Sequence, residues 1–230
     1  MCAALPISAQ AQTSSSSSAK HSKQPATQAD SGIDSGAVTN GVYRNKTLAF
    51  SCQIPAGWVL RTDELNAHHE SQAENPPAET PKQDQTKQDA PKEAPPASSS
   101  GAKVLLAAFS RPPEAKAEDV NSSILIAAES ASNYPGLEDA AQYFGPLTEV
   151  AKAQGFTVDE EPYEVAVGTK KLVRSDFHKN VGSRVMHQST LAMLSHGYAV
   201  SITIIAGTDD DVEGLIDGLG FFSGTTPPAH

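Results

Sequence analysis

SRVMHQSTLAMLSHGYAVSITIIA, Ser183 to Ala206, decides the fold. Two apolar-rich runs meet at His196-Gly197, and a two-residue loop with glycine second is a strong hairpin signal. If Ser195 faces Tyr198, then Met193 faces Val200 and Leu191 faces Ile202. Side chains alternate along a strand, so these pairs share one face, and that face is the expected core. Just upstream, YEVAV (Tyr163 to Val167) and KKLVRSDF (Lys170 to Phe177) flank Gly168-Thr169 and read as a second hairpin. A turn over Asn180 to Gly182 joins the two, so this half of the chain reads as an antiparallel meander.

Outward from the meander the same logic continues. LAFSCQI (Leu48 to Ile54) alternates as a strand, Pro55-Ala56-Gly57 suits a turn, and WVLR resumes the extended chain. VLLAAFS (Val104 to Ser110) and SILIAAES (Ser123 to Ser130) are short apolar runs bounded by polar loops, and read as buried strands. Tyr134-Pro135-Gly136 opens an expected helix with Leu137, Ala141, Phe144, Thr148 and Ala151 as its stripe. Gly145-Pro146 should kink or split that helix, and Gly155 should close it. Thr208 to Asp211 starts a last helix with a hydroxyl and carboxylates at its positive end, striped by Leu215, Ile216 and Leu219. Phe221-Phe222 closes the domain. The predicted class is α+β: a mostly antiparallel β-sheet flanked by helices, an α/β/α sandwich.

The chain has 230 residues, with 38% hydrophobic and 6% aromatic, low for a chain folded throughout. The deficit is local. Residues 12–42 are rich in Ser, Gln, Ala, Thr and Gly, and residues 66–102 lack Leu, Ile, Val, Phe, Tyr, Trp and Met entirely. Both read as disordered, the first as a tail and the second as an insertion within a single domain spanning 43–224. Residues 225–230 read as a frayed end. The net charge is −10, and the folded part carries 19 acidic against 12 basic residues. No basic patch interleaves with aromatics, so a nucleic-acid role is not expected, and no stretch is long enough to span a membrane.

MCAALPISAQA (residues 1–11) reads like the end of a secretory signal, with Ala9-Gln10-Ala11 fitting the small-x-small cleavage pattern. The expectation is an upstream start, and export to the periplasm or extracellular space. Cys2 would leave with the signal, or be lipidated if upstream residues complete a lipobox. Cys52 shares a strand face with Phe50 and Ile54 and reads as a small buried hydrophobe.

Tyr43-x-Asn45, followed by Phe50-x-Cys52-x-Ile54-Pro55-x-Gly57-Trp58, resembles the opening of PsbP-like and DcrB-like domains. The Gly197-Tyr198 turn and the Leu219-Gly220-Phe221-Phe222 ending are similar too. The resemblance covers about Tyr43 to Phe222. It implies an α/β/α sandwich, usually exported, that acts by binding and has no catalytic residue set to carry over.

Trp58, Phe50, Gly57 and Tyr198 are the expected structural anchors, with the Trp58 ring pinning the first hairpin to the core rather than stacking on a ligand. The one polar constellation is Arg174, Asp176 and His187, with His187 placed opposite Arg174 across the hairpin. It could form an acid/base or phosphate site, but cross-strand pairing at a polar sheet edge explains it as well. His196 is expected in an exposed turn, and His68-His69 in the insertion. Asp209 to Asp211 lacks a Ca²⁺-loop pattern and reads as helix capping. No Gly-x-Ser-x-Gly, P-loop or dinucleotide fingerprint occurs, and no cofactor or metal is expected. The functional expectation is a non-catalytic exported module of the envelope or extracellular space, binding an unidentified protein partner. The alternatives are a carrier of a small apolar ligand between sheet and helix, lined by Leu105 to Phe109 and Ile124 to Ala128, and a hydrolase using His187 and Asp176.

Overall fold

The meander forms as its alternation requires. In the computed structural model, which describes residues 32–74, 102–115 and 119–222, β10 (Tyr198–Ala206) runs back along β9 (Arg184–Ser195). The register is Tyr198 to Ser195, Val200 to Met193 and Ile202 to Leu191. The last four of these residues are buried in one cluster. His196 in the loop has φ 52° and Gly197 φ 79°, the two left-handed positions of a type I′ turn. β7 (Thr157–Val167) and β8 (Lys170–Val181) flank Gly168-Thr169. β7 begins six residues before the expected YEVAV run. It carries Pro162 and register shifts on either side of Glu160, which an edge strand tolerates because its outer N–H groups need no partner.

With β4 (Val59–Leu60), β5 (Lys103–Phe109) and β6 (Ser123–Ser130), these strands make a seven-stranded antiparallel sheet in the order β4-β5-β6-β10-β9-β8-β7. A second, four-stranded sheet joins β1 (Ala37–Thr39), β2 (Val42–Asn45), β3 (Phe50–Gln53) and β11 (Leu219–Phe221) in the order β1-β2-β3-β11. One face of the large sheet buries Leu106, Ile126, Leu191, Ile202 and Ile204 against Tyr43, Phe50 and Cys52 of the small sheet. Val212, Leu215 and Ile216 of α3 (Asp209–Ile216) join them there. The other face carries α2 (Phe144–Ala153), through Phe144, Leu147 and Ala151. It also carries α1 (Thr62–Glu74), whose Leu65 packs on Val104, Ala107 and Phe109. Helices thus flank both faces of the large sheet.

Several boundaries differ from expectation, each for a physical reason. Residues 12–42 do not all form a tail: Ile33 is 4% exposed in the core. Asn45 reaches back to the Asp34 carbonyl at 2.6 Å, and the Tyr43 hydroxyl donates to the Ser35 carbonyl at 3.0 Å. Gly36 (φ 71°) sits so close to Tyr43 and the Arg44 carbonyl that a Cβ would lie 2.7 Å from each. Nor does an insertion begin at Asn66: α1 runs to Glu74 and places His68 on a helix. β4 pairs only with Phe109 and Ala108, so the rest of the β5 edge needs other partners. Thr62 accepts from the Ala107 N–H at 3.0 Å, and Asn66 both accepts from the Val104 N–H (3.0 Å) and donates to its carbonyl (2.9 Å).

Gly145-Pro146 does not kink a helix but opens one, because proline within the first turn loses no intrahelical bond. Residues 134–143, where that helix was expected to open, form turns after a 3₁₀ turn over Ala131–Asn133, and α2 starts only at Phe144. Leu219 belongs to β11, paired with Cys52, and not to the α3 stripe. Residues 1–11, the tail up to residue 31, residues 75–101 of the expected insertion and residues 225–230 lie outside the described residues.

The anchors divide. Phe50 is fully buried and meets Phe221 edge to face, with centroids 5.2 Å apart at 61°. Trp58 and Tyr198 are half-buried on the same cluster. Gly57 (φ 86°) takes the third position of a turn closed by the Trp58 N–H donating to the Pro55 carbonyl, a geometry that favours glycine.

Candidate functional site

Arg174 and Asp176 alternate on β8 and point to the face that carries α3. There Asp176 collects donors from three strands. Arg174 Nε meets its two oxygens at 2.9 and 3.0 Å, the Tyr163 hydroxyl of β7 donates at 2.9 Å, and Ser189 Oγ of β9 donates at 2.6 Å. Arg174 Nη2 reaches across to Glu213 of α3 at 2.5 Å. The Arg174 and Asp176 side chains are only 13% and 21% exposed. Burial pushes against the guanidinium charge, but the bonds to Glu213 and Asp176 outweigh it and hold the proton more tightly than usual. Burial, with the Asp176 carboxylate alongside, pushes the Tyr163 phenol up to about 12.

His187 is not opposite Arg174. The turn between β8 and β9 falls at Gly182-Ser183, so the register pairs Arg174 with Leu191, Asp176 with Ser189, and His187 with His178. Each histidine has its own carboxylate. His178 Nδ1 lies 2.5 Å from Asp159 of β7, and His187 Nδ1 lies 2.6 Å from Asp209 at the start of α3. Arg174, Asp176 and His187 nevertheless line one open cleft of about 460 Å³, with Tyr163, His178 and Glu213. Its floor is β8 and β9, its walls β7 and α3. Asp209 also serves the helix: Thr208 caps α3 by accepting from the Asp211 N–H at 3.1 Å, and three carboxylates sit in the first turn, where the helix dipole favours negative charge.

This arrangement is poor for hydrolysis. A nucleophile needs a base within hydrogen-bond reach, yet Ser189 is fully buried and spends its proton on Asp176. His196 sits in its turn beside Ser195 Oγ, 2.9 Å away. Among the described residues no set of three or more His, Cys, Asp and Glu converges on a metal-sized space. No described helix is long and apolar enough to cross a membrane.

A second polar cluster escaped the sequence reading. Glu129, 4% exposed at the end of β6, accepts from the Tyr134 hydroxyl at 2.7 Å and from the Tyr143 hydroxyl. Burial, then the bond to Glu129, pushes the Tyr143 phenol far above its ordinary range. The one signal was a lone acid ending an apolar run, followed by two tyrosines. Beside it, between α2 and the sheet, lies a cavity of about 50 Å³ lined by Glu129, Leu147, Gln188, Thr190 and Thr203 among others. Pockets for drug-sized ligands run to roughly 300–1,000 Å³. Of the residues expected to line an apolar pocket, Leu125 and Ala127 line this small cavity, and the others in Leu105 to Phe109 and Ile124 to Ala128 are buried core.

No family model matches the chain, and no curated protein matches it. Solved structures do. PsbP is among them: the solution structure of cyanobacterial PsbP (CyanoP) from Synechocystis sp. PCC 6803 is similar over 81% of this chain and 96% of that one, at 14% identity and a TM-score of 0.43. LpqN of Mycobacterium tuberculosis, described as involved in cell envelope biogenesis, is similar over 76% of this chain and 83% of its own, at 13% identity and a TM-score of 0.36. A protein of Bacteroides thetaiotaomicron VPI-5482 matches 76% of this chain at 13% identity and a TM-score of 0.36; there the match spans 45% of the other chain.

Proposed function

We propose that the protein is a non-catalytic, exported binding module that engages a protein partner through the cleft between β7 and α3. What supports this reading is how the Arg174–Asp176–His187 constellation is used. Both Asp176 oxygens are occupied from within the protein, and His187 is turned to Asp209 instead of to a hydroxyl. The cluster holds strands in place, while the rim carboxylates face solvent: the side chains of Asp159, Glu213 and Asp209 are 41%, 53% and 83% exposed. The neighbouring β7 ends the sheet order, so its outer edge can take an extended segment. The partner's contact surface is therefore basic and extended. Ala9-Gln10-Ala11 supports export. The small cavity beside Glu129 weighs against carriage of an apolar ligand.

The test is a pull-down from the native envelope fraction with the mature chain and with Asp159→Lys/Glu160→Lys. A partner held by the first and lost by the second, more weakly bound at high salt, is the expected result. An esterase or phosphatase activity that disappears in His187→Ala overturns the reading.

A further inference from the structure

The geometry points to a divalent transition-metal site at the His178–His187 pair, with the two Nε2 atoms as ligands and Asp159 and Asp209 as their outer-shell partners. This assignment stands independently of what protein the cleft binds. The hairpin register supplies the first half of the argument. Val181 and Arg184 flank the two-residue turn and form its hydrogen-bonded pair, so alternation makes His178–His187 a non-hydrogen-bonded pair. In such a pair the Cβ atoms stand about 4.5–5.5 Å apart on the same face, and both side chains line the open cleft.

The carboxylates supply the second half. Asp159 lies on β7, beyond β8 on the side away from β9. Asp209 begins α3 directly after β10, whose Ala206 is the cross-strand neighbour of His187 on the side away from β8. Each Nδ1 is thus drawn outward, in opposite directions. On an imidazole the edge opposite Nδ1 carries Cδ2 and Nε2, so both Nε2 edges turn inward toward each other. Among the described residues neither Nε2 has a hydrogen-bond partner. His178, hydrogen-bonded through Nδ1 to Asp159, and His187, whose Nδ1 lies 2.6 Å from Asp209, both leave Nε2 outward, the orientation of a metal-ligating imidazole. Two imidazoles, with water filling the other positions, suit Cu²⁺, Ni²⁺ or Zn²⁺ and not Ca²⁺ or Mg²⁺. His178 and His187 are 32% and 25% exposed, so a hydrated ion can reach them.

Cu²⁺ is the probe, because nitrogen ligands split its electron paramagnetic resonance signal. The background is the full chain with His21, His68, His69, His196 and His230 replaced by Asn. One equivalent of Cu²⁺ should bind there, with couplings from two imidazole nitrogens. His178→Ala or His187→Ala should each lower affinity by more than the roughly 10–100-fold that losing an outer-shell partner costs, and Asp209→Asn should fall within that range. Far-UV circular dichroism confirms that each variant is folded. Coupling to a single nitrogen, or affinity unchanged by either alanine in a folded chain, overturns the site.

Discussion

Replacing Asp176 with alanine tests whether the polar cluster is architecture or apparatus. The substitution removes the acceptor of three donors from three strands. Their fates differ. Tyr163 is half-exposed and can turn to water at little cost. Ser189 is fully buried, and an orphaned buried hydroxyl costs about 1–3 kcal/mol. Arg174 keeps Glu213 but loses its more buried carboxylate, and a bond to a charged group is worth about 1.5–3 kcal/mol. Breaking a fully buried ion pair costs about 3–5 kcal/mol. Asp176 retains some exposure, so about 3 kcal/mol is the expected loss, lowering Tm by roughly 6–12 °C for a domain of this size. Urea denaturation supplies the free energy. A double-mutant cycle with Ser189→Ala isolates the mechanism. That second change should be costly in the wild type and stabilising beside Asp176→Ala, where it removes the orphaned buried hydroxyl. A stability loss below about 1 kcal/mol for Asp176→Ala would refute the structural account and return the cluster to the list of functional candidates.

Three further outcomes follow from the packing and the titrating groups. Phe50→Ala, at a fully buried site against Phe221, should cost about 3–5 kcal/mol, and Trp58→Ala, at a half-buried one, clearly less; parallel urea melts check the order. Asn66→Ala, which strips two hydrogen bonds from the edge of β5, should cost about 1–3 kcal/mol and speed amide exchange at Val104. Burial raises the Cys52 thiol from 9.0 to about 12 and, as the largest cause, the Tyr43 phenol from 10.0 to about 12. The folded state therefore holds these protons after the unfolded chain has lost them, so stability should be level below about pH 9 and fall from there to pH 12. Cys52→Ala should flatten the first part of that decline, and the wild-type thiol should react with alkylating reagents at pH 8 only in denaturant.

The meander was legible because turn chemistry and alternation together fix register. His196-Gly197 leaves one pairing that buries Met193, Leu191, Val200 and Ile202 together. Where the turn was placed two residues early, at Asn180 to Gly182 instead of Gly182-Ser183, alternation still assigned the right face to β8. The pairing, however, slid by four along the partner strand, setting His187 against Arg174. A slip by an even number keeps every side chain on its face, so burial patterns give no warning of it; only the turn does.

The other misses depend on partners far away in sequence. Leu219 to Phe221 can read as a helix tail or a strand, and what decides is the free edge of β3, which pairs Leu219 with Cys52. Asn66 looks like the first residue of a polar insertion because its role is to replace a missing strand beside Val104, a contact that composition does not encode. Glu129 would be an error inside an apolar strand were it not for Tyr134 and Tyr143, which fold back over it. Asn66, Tyr134 and Tyr143 share a property: their side chains satisfy backbone or carboxylate groups left unpaired by the sheet. Local sequence reports where strands begin and which face they bury. It does not report which polar atoms the assembled sheet leaves without partners, and in this protein those atoms select Asn66, Ser189 and the two histidine–carboxylate pairs. The cleft is therefore read from the register first and from residue type second, and an account that started from the histidines alone would place them four residues from where they meet.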